Sequence, residues 1–152
     1  MRSLRNVLCG AVMASAAVLV GSSPAFAQGP GVRAGVSVDP DQFYVGGHYE
    51  TDELIEHLHL RPNLEVGFGD NVTTVAVNIE AVYKFPLKNR RGTSFYAGGG
   101  PAILFYDRDN GSDAKGGLNL LGGLEFGKVF LEVKGGLFDA PNLKVGIGYT
   151  FR

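Results

Sequence analysis

The chain has 152 residues, 15 acidic against 14 basic, a formal charge of −1, 23 glycines, a single cysteine and no tryptophan. That balance offers no basic face for nucleic acid, and one cysteine excludes a disulfide framework. The length suits one ordinary domain.

Residues 1–27 read as a secretory signal peptide. Arg2 and Arg5 form a basic start, Val7 to Val20 is an apolar run broken by small residues, and Ala25-Phe26-Ala27 is an A-x-A cleavage site before Gln28. A retained membrane helix fits less well, because the run is short, contains Gly10 and lacks a basic stop-transfer flank. Cys9 is removed with the signal; too little apolar sequence precedes it for a lipoprotein anchor. Cleavage after Ala27 leaves 12 basic and 15 acidic residues, a formal charge of −3. The remaining domain, 28–152, has no apolar stretch of helix-spanning length, so it can cross a bilayer only as a closed barrel.

Eight strands are predicted, at 31–38, 42–50, 57–69, 72–86, 93–106, 116–126, 128–138 and 142–151. Turn chemistry punctuates them: Asp39-Pro40-Asp41, Gly69-Asp70-Asn71, Lys88 to Gly92, Gly127-Lys128 and Asp139 to Asn142. The longest predicted loop is Asp107 to Lys115. Thr51 to Leu60 could form a short helical turn. Even strand number and hairpin connections give an eight-stranded antiparallel up-and-down barrel with both termini at one end.

Strict alternation divides every strand into two faces. The last strand is the clearest: Leu143, Val145, Ile147, Tyr149 and Phe151 alternate with Lys144, Gly146, Gly148 and Thr150. No Lys, Arg, Asp or Glu interrupts the apolar face in the strand cores. The wet face mixes both signs and carries nine glycines, Gly35 and Gly46 through Gly146 and Gly148 among them. A soluble carrier of the lipocalin type would turn the apolar face inward; a transmembrane barrel inverts it. Glycine fits the crowded interior of a narrow barrel, and the aromatics gather at strand ends. Tyr49, Tyr83, Phe85, Phe95, Phe126, Tyr149 and Phe151 form one expected girdle at the termini, with Phe43, Phe68 and Phe105 near the other end. Both features favour the membrane.

With this strand count, alternation and closing Val145-Gly146-Ile147-Gly148-Tyr149-Thr150-Phe151, the chain resembles the small eight-stranded outer-membrane barrels. That group includes the OmpA transmembrane domain, OmpX and the opacity-like proteins. The resemblance implies the outer membrane of a Gram-negative bacterium, with membrane lipids around a monomer. It also implies barrel-assembly machinery that reads a terminal aromatic residue; here Phe151 is penultimate and Arg152 last. The loops are too short to support adhesion.

Candidate chemistry centres on the inward charges. Arg33, Arg61, Lys134 and Lys144 would pair with Glu65, Glu80, Glu125 and Glu132, plugging the lumen or lining a narrow solute pore. His48, His57 and His59 could suggest a metal, but nothing fixes His48 beside the other two. Asp107-x-Asp109-x-Gly111-x-Asp113 fails the calcium-loop pattern. Lipid A-modifying enzymes need an activated serine at the lipid boundary, and Ser37, Ser94 and Ser112 have no histidine motif there. No catalytic constellation and no cofactor are expected. The role read from sequence is a structural membrane scaffold.

Overall fold

The computed structural model describes residues 29–151, so the signal segment, Gln28 and Arg152 lie outside the described residues. Eight strands are present: β1 (Pro30–Val38), β2 (Gln42–Tyr49), β3 (Leu58–Gly69), β4 (Val72–Pro86), β5 (Thr93–Arg108), β6 (Gly111–Phe126), β7 (Val129–Phe138) and β8 (Leu143–Thr150). Each pairs antiparallel with the next, and β8 pairs with β1 from Gly31↔Thr150 to Val38↔Leu143. The barrel is closed. No strand edge is left without a neighbour. None of the described residues forms a helix long and apolar enough to cross a membrane.

Chain ends and three connections share one end, called here the terminus end. The other end, the hairpin end, carries four turns. Local sequence explains the tightest ones. Asn71 reverses β3 into β4 at φ 62°, a left-handed conformation that asparagine tolerates, and Gly127 does the same before β7. Gly111 opens β6 at φ 139°.

Two expectations need correction. The Asp107 to Lys115 loop does not exist: Arg108 pairs with Gly111, so only Asp109 and Asn110 turn, and Asp113 and Lys115 belong to β6. Both faces of these strand ends meet water, which erases the alternation that marks a strand. Thr51 to Leu60 contains no helical turn. Instead Ile55 bridges to Leu58 around His57, whose φ is 65°.

Pro101 interrupts one seam. It has no N–H to donate, and the β4–β5 ladder lapses between Asn78↔Ala102 and Ala81↔Gly99 while Pro101 still pairs with Leu118 of β6.

The two faces of the wall are fully sorted. Val36, Ile79, Leu120 and Ile147 point outward and are each more than half exposed, while Arg61, Glu80, Glu50 and Lys134 point inward and are almost wholly buried. The interior is therefore not a greasy cavity of the carrier type. It is a charged, packed lumen inside an apolar cylinder.

Candidate functional site

Period 2 places an inward side chain on every second residue, and in this chain those positions bring five cations and five carboxylates together. Arg61 lies on β3 and makes its shortest contact with Glu50, 2.7 Å away just beyond β2. It also meets Glu132 of β7 at 3.1 Å. Lys84 of β4 reaches Glu50 at 2.5 Å and Glu125 of β6 at 3.1 Å. Arg33 of β1 pairs with Glu65 at 3.2 Å and Glu132 at 3.3 Å. Toward the hairpin end, Lys134 pairs with Glu80 at 2.5 Å and Glu65 at 3.4 Å, and Lys144 donates to Glu65. Equal numbers of opposite charges give the buried set the overall neutrality that desolvated ions require.

Neutral groups fill the rest. Asn63 donates to Glu80 at 2.9 Å, Asn78 to Asn63 at 2.7 Å and Asn119 to Asn78 at 2.8 Å, a ladder of amides across β3, β4 and β6. Phe130 is a central platform: the Arg33 and Arg61 guanidinium carbons lie 5.4 and 5.1 Å from its centroid. His48 meets its ring edge-on at 5.3 Å. Tyr96 donates to Glu132 at 2.9 Å and lies 4.8 Å from the Arg61 guanidinium. Aromatic rings occupy the space above inward glycines, Phe130 over Gly148, Tyr96 over Gly123 and Tyr44 over Gly146, where a Cβ would collide with them.

The hairpin end is packed by a different device. Ala76, Ala102, Leu104 and Tyr106 form an apolar cluster with Ala140, which the β7–β8 turn inserts from above. Tyr106 donates to the Asp139 carbonyl at 2.8 Å and holds that turn in place. Beneath Pro141, between this cluster and Lys144, lies a cavity of about 10 Å³. It has room for about one water.

All eight charged residues named from sequence lie in this lumen: Arg33, Arg61, Glu65, Glu80, Glu125, Glu132, Lys134 and Lys144. Glu50 and Lys84 complete the lattice; both stand at wet-face positions of the alternation, which carries no information about partners. Phe130 was missed. Its signal was parity, since Val129 and Leu131 on either side point outward.

The histidines do not converge. His48 bonds to Thr150 at 3.0 Å inside the barrel. His57 and His59 sit at the β2–β3 connection within 4.0 Å of Glu53. Among the described residues no group of three or more His, Cys, Asp or Glu is arranged to hold a metal ion. Ser37 donates to the Pro40 carbonyl and Ser112 to Asp107, so neither hydroxyl is held by a histidine base.

On the outer wall, Tyr49, Tyr83, Phe85, Phe95, Phe126, Tyr149 and Phe151 are exposed near the terminus end. The Tyr83 ring lies tilted at 4.8 Å from Phe85, which lies 5.9 Å from Phe95; Tyr149 lies 5.1 Å from Phe151. Phe43 faces Phe68 in register near the other end, where Phe105 also lies. Phe138 is an addition there, 86% exposed because its left-handed φ of 63° turns it out of the β7 alternation.

Comparison with solved structures agrees on the fold. The N-terminal β-barrel domain of Pseudomonas aeruginosa OprF superimposes with a TM-score of 0.59 at 18% identity, over 80% of this chain and 96% of that one. Neisserial surface protein A gives a TM-score of 0.50 at 16% identity, over 82% and 95%. The chain has the eight-stranded barrel architecture of the small outer-membrane barrels that its sequence resembles. No family model and no curated protein matches it.

Proposed function

We propose that this chain is an integral protein of a Gram-negative outer membrane, and that it serves as a sealed structural barrel. The observation that carries the reading is the inverted distribution of charge, with five ion-paired cations and five carboxylates inside and an uncharged apolar band outside. Water gives no reason to expose such a band, whereas hydrocarbon favours it and also demands the closed ladder. Aromatics near both ends of that band suit the two membrane interfaces.

Sealing follows from the lumen. Charges lock to one another, amides bridge them, and the Ala140 turn covers the mouth. A protein of this kind would be inserted by the barrel-assembly machinery and remain monomeric, with lipid as its neighbour. The chain reconstituted in planar bilayers should produce no resolved conductance steps, and unboiled samples should migrate differently from boiled ones on a gel. Discrete, reproducible current steps would replace the sealed barrel with a narrow solute pore. Recovery as a soluble periplasmic protein without a mobility shift would remove the membrane reading itself.

A further inference from the structure

We propose that the outer wall carries a seat for one anionic phospholipid, its acyl chain in a groove across β8, β1 and β2 and its phosphate against Lys128. This inference rests on the membrane reading above and names one specific ligand for that wall.

The groove arises from two missing side chains. Ala34 and Gly47 point outward where their neighbours are large: Ala34 is paired with Val45 and Ile147, and Gly47 with Val32 and Leu64. The resulting depression has a volume of about 720 Å³. Known small-molecule sites span about 300–1,000 Å³. Its walls are almost entirely aliphatic, with Tyr149 and Val129 at the terminus end. A second copy of the chain fits this surface poorly. A two-fold contact sets the same patch against itself, and a depression facing a depression leaves a void. An acyl chain supplies the convex partner.

Charge picks the headgroup. Lys128 is exposed and directly precedes Val129 of the groove, and its carbonyl accepts the Thr150 N–H at 2.8 Å, which fixes the turn beside the end of β8. Gly127 donates to the Gly92 carbonyl at 2.6 Å, joining this turn to the one that carries Lys88, Arg90 and Arg91. The turns that carry Lys128 and Lys88, Arg90 and Arg91 are therefore adjacent on the β7 side. Acidic Asp52, Glu53 and Glu56 occupy the β2–β3 connection on the other flank, where Glu53 faces His57 and His59. The hairpin end offers the opposite sign, with Asp39, Asp41, Asp70, Asp109 and Asp139 on its turns. Tyr149 and Phe151 stand beside Lys128 at the level where aromatic rings meet headgroups.

The absence of tryptophan allows a direct test. Val66→Trp reports from the groove and Leu120→Trp from the far wall, each in vesicles of phosphatidylcholine doped with brominated phosphatidylglycerol or brominated phosphatidylcholine. At Val66→Trp the anionic lipid should quench with about fivefold preference, the scale of one basic residue at a charged surface. At Leu120→Trp there should be none. Adding Lys128→Gln, which leaves the groove intact, should abolish the preference; adding Gly47→Leu, which fills it, should do the same. Equal preference at both reporters, or a preference that survives both additions, would overturn the seat. If neither brominated lipid quenched either reporter, the wall would never meet acyl chains, and the membrane reading would be overturned with the seat.

Discussion

The inside and the outside of this wall are built from the same strands, yet they obey different rules. Outward residues need only be apolar: Val, Ile, Leu and Phe follow one another with no fixed partner. Inward residues are specified individually. Arg61 alone is met by Glu50, Glu132 and two aromatic rings. The outer face is thus defined by composition and the lumen by complementarity, so mutations should be judged by different standards on the two sides.

The comparison is tested most severely from the lumen. Arg61→Met keeps much of the side-chain volume but removes one of five cations, so Glu50 is left to Lys84, Glu132 to Arg33 and Tyr96, and the lumen carries one buried negative charge in excess. The expected loss is about 3–5 kcal/mol in urea unfolding from vesicles, the cost of an uncompensated buried charge. Adding Glu50→Gln should restore part of it. A loss no larger than that of a surface substitution would show that water replaces the guanidinium and that the lumen is not dry. Next comes Leu131→Arg on the outer wall, which sets a charge in hydrocarbon and should cost about 2–4 kcal/mol near the midplane by the same assay. If its effect vanished in the membrane, the outward face would not be lipid-facing. The smallest effect sharpens the contrast. Gly148→Ala forces the Phe130 ring off its glycine and should cost about 1–3 kcal/mol through overpacking. Gly122→Ala should cost less. Its Cβ would meet nothing nearer than a backbone oxygen at 3.7 Å.

The wall was legible in the sequence because its signal is local. Period 2 with a charge-free face marks all eight strands, and turn residues bound most of them. The lumen was legible only as a set of members. Arg61 and Glu132 are brought together across four intervening turns of chain, and alternation says which way each points but not what it meets. Alternation thus puts Glu50 and Lys84 on the inward face but cannot pair them, and Phe130 is hidden in the run Val129-Phe130-Leu131, where all three residues are apolar. The β5–β6 hairpin escaped for the opposite reason. Beyond the apolar band its strands are polar on both sides, so a continuing ladder reads as an acidic loop. Asp139 to Asn142 mark the last turn, but the insertion of Ala140 leaves no signal, because its burial depends on Leu104 and Tyr106 from β5.

The Phe151 N–H donates to the Pro30 carbonyl at 2.8 Å, so the β8–β1 ladder continues one bond beyond the Gly31↔Thr150 pair. A cylinder joined in this way has no privileged seam. Linking Phe151 to Gly29 through a short flexible connector and opening the chain between Asp109 and Asn110 would keep every strand beside its present neighbours, since exposed turns tolerate new ends. The order of the strands around the ring matters to this architecture; the strand that happens to be made first does not.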